Sequence, residues 1–313
     1  MKVGGHVPNS ESHIRGLVFV CLGAILWGVG GTATDYIFKN TPVTVDWYVT
    51  TRLLLSGIIL LLIYIIFFRK KHAMVWDKYI ITMFLIYSIF GMTAVQYTFT
   101  AAIGHGNAAI ATVLQCTGPI YIILYYVFKK YIKWTYREVL VIIVMILGVA
   151  LIATNGDFTV FAVPPMAIVW GLLSGIALAY YTIHAGYLLV RLHPLQLVGG
   201  SMLVGGIVLN FFTPIWSFDF SYNWQGFDLS ILAFSIFIGT TLAFYLYIGS
   251  LKYISSKEAG ILGLLEPVSA IITSVLVLGI VLGLYQFVGI LMVLLVTIFN
   301  TLSSGKRGKK KLS

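Results

Sequence analysis

The rhythm of its apolar runs limits this chain more than any other feature. Runs at 14–35, 45–68, 78–101, 106–128, 137–155, 163–190, 195–216, 227–250, 257–279 and 284–304 are separated by charges or turn residues. Each is long enough to cross a hydrocarbon core of about 30 Å as a helix. Barrel strands are excluded, because those need only about ten residues of alternating polarity. Of the 313 residues, 59% are apolar and only 10% charged, whereas soluble domains carry about 25%. The chain is therefore expected to be an all-α integral membrane protein of about ten transmembrane helices. A soluble enzyme, a secreted disulfide scaffold and a disordered tail protein are ruled out. Cys21 and Cys116 both lie inside apolar runs and read as small apolar residues.

The formal charge of +10 invites a nucleic-acid partner, but the placement of the charges argues against one. All of the 20 Lys and Arg except Lys39 and Arg52 lie at the termini or in alternate connections, around Arg69, Lys78, Lys129, Arg137, Arg191, Lys252 and Lys257. The opposite connections hold Asp35, Asp46, Asp157, Asp219 and Asp228. By the positive-inside rule, both termini are expected in the cytoplasm of a multi-pass cell-membrane protein. The Lys306–Lys311 tail faces anionic lipid on that side. The first run is too long for a signal peptide, and no small-residue cleavage pattern follows it, so it is expected to stay attached as the first helix. Trp47, Trp76, Trp134, Trp170, Trp216 and Trp224 fall at expected bilayer interfaces, where amphipathic rings belong. Trp27 alone sits mid-span.

An internal repeat is visible. Without a gap, Tyr97 aligns with Tyr245, Ile103 with Leu251, Leu114 with Leu262 and Pro119 with Pro267. Five runs precede the midpoint and five follow it. An odd number per repeat forces the two halves into opposite orientations, the architecture of secondary transporters that bind between their halves. At this point Ala24-Ile25-Leu26-Trp27-Gly28, Arg52-Leu53, the stretch from Ala108 to Pro119, and Ala259-Gly260 with Glu266-Pro267 resemble the EamA-type permeases of the drug/metabolite transporter superfamily. The resemblance covers two repeats, 14–155 and 163–304, followed by a basic tail at 305–313. It implies helices one, three, four, six, eight and nine around a central cavity, with five and ten peripheral. Gly118 stands where Glu266 does in the other half, so a carboxylate role attaches to Glu266 alone.

Glu266 lies about 14 Å into its span, where a lone carboxylate is costly. It reads as a site for a cationic substrate, as a proton-coupling group, or as a structural acceptor. Pro119 and Pro267 break the backbone ladder and free carbonyls toward a cavity. Arg52, close to midplane, reads as a snorkelling or gating cation, or as a partner of Glu266 or of an anionic substrate group. Gln115 matches Glu266 in depth and is the strongest neutral binder. Gln96, Thr98, Thr100, Thr240 and Thr241 can bind or simply tie helices together. Trp27, Tyr97, Tyr181 and Tyr245 can form the walls of a substrate site, or simply pack. His184 reads as a coupling or gating group, or as hydrogen-bonded filler. Gly28, Gly30, Gly31, Gly171 and Gly175 allow close helix approach, and Ser255-x-x-Glu258 reads as a capping box.

These features favour a secondary carrier of small metabolites working by alternating access, with proton coupling if Glu266 titrates. An exporter of drug-like amphiphiles is the runner-up. A lipid-modifying membrane enzyme would need a nucleophile or metal motif, and none of H-E-x-x-H, G-x-S-x-G or a Walker A loop occurs. A sensory scaffold would need a sizeable soluble output domain. The expected partners are a small molecule and the bilayer; no cofactor is implied.

Overall fold

A computed structural model describes residues 10–68, 77–131, 135–218 and 221–310. Trp76, Trp134, Asp219, the basic residues 69–71 and 133, and the end of the tail lie outside them. The described residues form ten apolar rods and no strands. The first half comprises α1 (Ser10–Asn40), α2 (Val45–Phe67), α3 (Lys78–His105), α4 (Ala108–Gln115 continued by Gly118–Phe128) and α5 (Tyr136–Thr154). The second comprises α6 (Pro165–Leu188), α7 (Pro194–Asn210), α8 (Gly226–Ser250), α9 (Ser256–Leu262 continued by Leu265–Leu278) and α10 (Leu284–Lys310). Outward faces carry large apolar side chains such as Ile66, Phe90, Leu276 and Leu295, a surface suited to lipid and not to water.

Local chemistry sets the ends. Thr44, Asp77, Asn107 and Ser255 are N-caps whose side chains accept from Trp47, Ile80, Ile110 and Glu258 backbone N–H groups. The expected capping box at Ser255 and Glu258 is formed. Gly279 ends α9 in the left-handed region at φ +64°. α1 runs to Asn40, five residues past the expected 35, because its polar end is satisfied within the helix and by its neighbours. The Thr34 hydroxyl meets the Tyr48 hydroxyl at 2.8 Å, Asp35 pairs with Lys39 at 2.9 Å, and the Tyr36 hydroxyl donates to Asp228 at 3.1 Å. Asp35 and Asp228 are therefore buried at helix ends, not loop charges. α7 stops at Asn210, short of the expected 216, since Pro214 leads into a 3₁₀ turn at Ile215–Ser217.

The tryptophans divide. Trp216 is exposed, and Trp224 stacks on Phe218 at 4.7 Å. Trp47 is buried instead and donates Nε1–H to the Ile215 carbonyl at 2.8 Å. Trp170 packs edge-on to Tyr97 at 5.8 Å between α6 and α3.

The two halves repeat each other in structure. α3 and α8 are both interrupted by π-helical stretches, Tyr87–Thr93 and Phe234–Leu242. Within them Thr93 bonds back to the Ser88 carbonyl and Thr241 to the Ile236 carbonyl, five residues earlier in each case. α4 and α9 both break, at residues 116–117 and 263–264. Packing follows the same exchange: α1 lies on α8 and α9, while α6 lies on α3 and α4. α2 pairs with α7 and α5 with α10 across the halves. One apolar cluster joins α1, α2, α7 and α8 around Tyr48, Leu53 and Met202. A second joins α4, α5, α6 and α10 around Met145, Ile152 and Val293.

Candidate functional site

Gly28 sets the geometry of the middle of the molecule. A Cβ on it would collide with the Glu266 carbonyl and the Ser269 hydroxyl, so only glycine lets α1 lie this close to the break in α9. Gly30 does the same toward α8, where its Cβ would come 2.6 Å from the Gly239 Cα. Glu266 therefore sits at the start of the second piece of α9, wedged between α1 and its neighbours.

The carboxylate of Glu266 is half-buried and, among the described residues, has no ion pair and no side-chain hydrogen bond. It lies within electrostatic reach of the Cys116 thiol at the α4 break and the Tyr247 hydroxyl on α8. The Tyr247 ring packs 4.8 Å from Trp27 of α1, and Tyr247 also interacts with Tyr181 of α6. Trp27 meets Phe244 edge-on at 4.7 Å, and its indole N–H is buried without an acceptor. Tyr181 lies against Tyr87 of the α3 π stretch at 5.3 Å. Six helices thus converge here: α1, α3, α4, α6, α8 and α9.

Trp27, Tyr97, Tyr181 and Tyr245 all pack on the same apolar cluster. Tyr97 is drawn toward the Asp46 end, where its hydroxyl donates to the Asp46 carboxylate at 2.6 Å. Gln115, one residue before the α4 break, is half-buried with no hydrogen bond to its amide among the described residues. Arg52 does not pair with Glu266. It is buried, with Nη2 donating to Gln96 Oε1 at 2.5 Å and Thr100 Oγ1 at 2.9 Å, and its guanidinium lies 5.2 Å from the Tyr48 ring centre. His184 bonds to the Tyr180 carbonyl of its own helix at 3.0 Å and stacks on the Tyr180 ring at 3.9 Å. Those contacts belong to α6 itself.

The carbonyl freed by Pro267, that of Gly263, is taken up within the chain. The Glu266 N–H takes the Gly263 carbonyl at 3.0 Å, closing the break as a tight turn. Tyr247, Cys116, Phe244 and Tyr87 also meet at this junction, and sequence reasoning did not single them out as binding candidates. Two clefts, of about 170 and 150 Å³, open at the Asp46 end, one beside Trp47 and Trp224, the other between Asn107, Pro164 and Gln286.

The comparisons with known proteins agree across nearly the whole chain. The model of the EamA-like transporter family matches residues 14–154 and 165–302. An uncharacterized inner membrane transporter of Salmonella typhimurium, YicL, is 31% identical over 297 residues, covering 94% of this chain and 98% of that protein. An uncharacterized transporter of Archaeoglobus fulgidus is 24% identical over 243 residues, covering 77% and 81%. A solved crystal structure superposes with a TM-score of 0.57 at 15% identity, covering 94% of this chain and 99% of that one, a likeness of fold.

Proposed function

Because this chain belongs to the EamA-like transporter family, a family of membrane permeases for small molecules, we propose that it is a secondary carrier working by alternating access. Its substrate binds between the halves, beside Glu266, Trp27, Tyr181 and Tyr247. The observation that carries this reading is Glu266 itself. A carboxylate without a partner among the described residues stands at a helix break where six helices meet. In a low-dielectric interior such a group calls for a proton or a cation from outside the protein. Among the described residues the buried Trp27 N–H is a second group without a partner in the same place, and such groups are few in native proteins. The aromatic faces supply apolar and cation–π surface. Glycine seams at Gly28 and Gly30 let α1 run close to both α8 and α9. With 18 of the 20 basic residues at the termini or in alternate connections, both termini lie in the cytoplasm.

Glu266→Gln tests the roles, because it keeps the shape and removes the titration. A proton-coupling Glu266 predicts that uptake driven by a pH gradient collapses while substrate binding survives. A cation-binding Glu266 predicts weaker binding at every pH. A structural Glu266 predicts a lower melting temperature, with both functions lost together. Proteoliposome flux, calorimetry and thermal unfolding on one purified variant separate the three. Parental values in all three assays would remove Glu266 from the site.

A further inference from the structure

The most unusual charge in the molecule is Arg52. Within the spans, Asp35 has Lys39 as an ion-pair partner at 2.9 Å. Arg52 is only 6% exposed and, among the described residues, has no carboxylate within ion-pair distance. Both of its hydrogen bonds run from Nη2, to Gln96 and Thr100. Its Nε–H is buried with no acceptor, and Nη1 has no hydrogen bond. A guanidinium carries five N–H donors in a rigid fork, so three are left for something else. Tyr48 supplies an aromatic face at 5.2 Å, but no counter-charge.

The position suits a ligand. Tyr48 belongs to the apolar cluster on which Trp27 and Tyr181 pack. One turn farther along α2 from Arg52, the Ser56 hydroxyl accepts from Thr241 in the α8 π stretch at 2.8 Å. Arg52 therefore lies on the face of α2 that looks toward both interrupted helices. Gly28 sits level with Glu266, and Thr34 meets the Tyr48 hydroxyl six residues along α1, about 9 Å away. The Arg52 guanidinium stays beside the Tyr48 ring, 5.2 Å from its centre, which places it roughly 9 Å along the helix axes from the level of Glu266.

Resting on the central-site reading above, we propose that Arg52, held by Gln96 and Thr100, is an anion subsite that takes the carboxylate of the substrate. The N–H groups left on Nε and Nη1 donate to the carboxylate as charge-assisted hydrogen bonds. Gln96 and Thr100 keep the fork aimed, and the aromatic side chains around Trp27 and Tyr181 receive the apolar body. The carried substrate is then a small organic acid, and the substrate itself supplies the missing counter-ion of a buried cation.

The test uses the purified full chain in lipid nanodiscs, with thermal unfolding as the readout. The probes are phenylacetate, benzoate and phenylalanine, each against its neutral-acyl counterpart, phenylacetamide, benzamide and phenylalaninamide. At least one acid should raise the melting temperature where its amide does not. In Arg52→Gln the half-saturating concentration of that acid should rise at least tenfold, with Arg52→Lys in between. Without ligand, Arg52→Gln should unfold at the parental temperature or above, because an uncompensated buried cation has been removed. The proposal falls if no acid stabilises the parental protein, if acids and amides act alike, or if Arg52→Gln responds to the acids as the parent does. It also falls if unliganded Arg52→Gln melts lower, which marks a structural tie. Stabilisation by acid and amide alike that disappears in Glu266→Gln would overturn the anion subsite and leave the central site standing.

Discussion

Replacing Gly30 with alanine probes a close glycine–glycine seam between the two halves. The new Cβ would stand 2.6 Å from the Gly239 Cα, while ordinary contact begins near 3.4 Å. α1 and α8 must therefore separate by about 1 Å over this stretch. Overpacking of that kind costs about 1–3 kcal/mol, and alanine returns up to about 1 kcal/mol through its better helix propensity. A net destabilisation of roughly 1–2 kcal/mol is expected, read by reversible unfolding in mixed micelles. Gly239→Ala faces Gly30 at the same 2.6 Å and should cost a similar amount. Once one substitution has opened the seam, the second meets less resistance, so the pair should fall short of additivity by at least about 0.5 kcal/mol. Gly186 supplies the control: nothing lies within 4 Å of its Cβ position, and Gly186→Ala should be neutral or slightly stabilising. Additive costs at Gly30 and Gly239, or a loss at Gly186 equal to theirs, would refute the close-seam reasoning.

Two further outcomes follow from the placement of charges and breaks. Cysteines at Asn40 and Asn223 should react with an impermeant thiol reagent added to intact cells, and one at Ser313 should not; the reverse pattern would turn the assigned sidedness over. Pro119→Ala and Pro267→Ala should insert normally but slow transport, because each lets a break rewind toward continuous helix, and parental flux from both would remove the breaks from the cycle.

Ten crossings, the two halves and the cap at Ser255 were legible because apolar run length, charge placement and cap chemistry are all local. The end of α1 was not, since Thr34, Asp35 and Tyr36 take partners on other helices, at Tyr48, Ala108 and Asp228. Trp47 and Trp170 misled in the same way: an indole near a helix end suits a bilayer interface equally well as a packed interior. At the site, repeat symmetry singled out Tyr245 as the match of Tyr97. The site is asymmetric, with Glu266 opposite Gly118, and Tyr247, about 200° around the helix from Tyr245, is the residue that reaches it. Arg52 was visible as a charge near midplane, but its missing counter-ion could be seen only once every neighbour had been placed.

The paired π stretches carry a consequence for how such a carrier can move. Each accommodates residues beyond the α-helical count, so it fixes the rotational phase of everything that follows it on the same rod. If Tyr87–Thr93 or Phe234–Leu242 rewound by a single residue, the half of the helix bearing Tyr97 or Tyr247 would turn by about 100°. The ring it presents to the interior would change while the helix axis stayed where it was. A molecule with two such joints, one in each half, holds a means of exchanging the lining of its centre by twisting two rods in place.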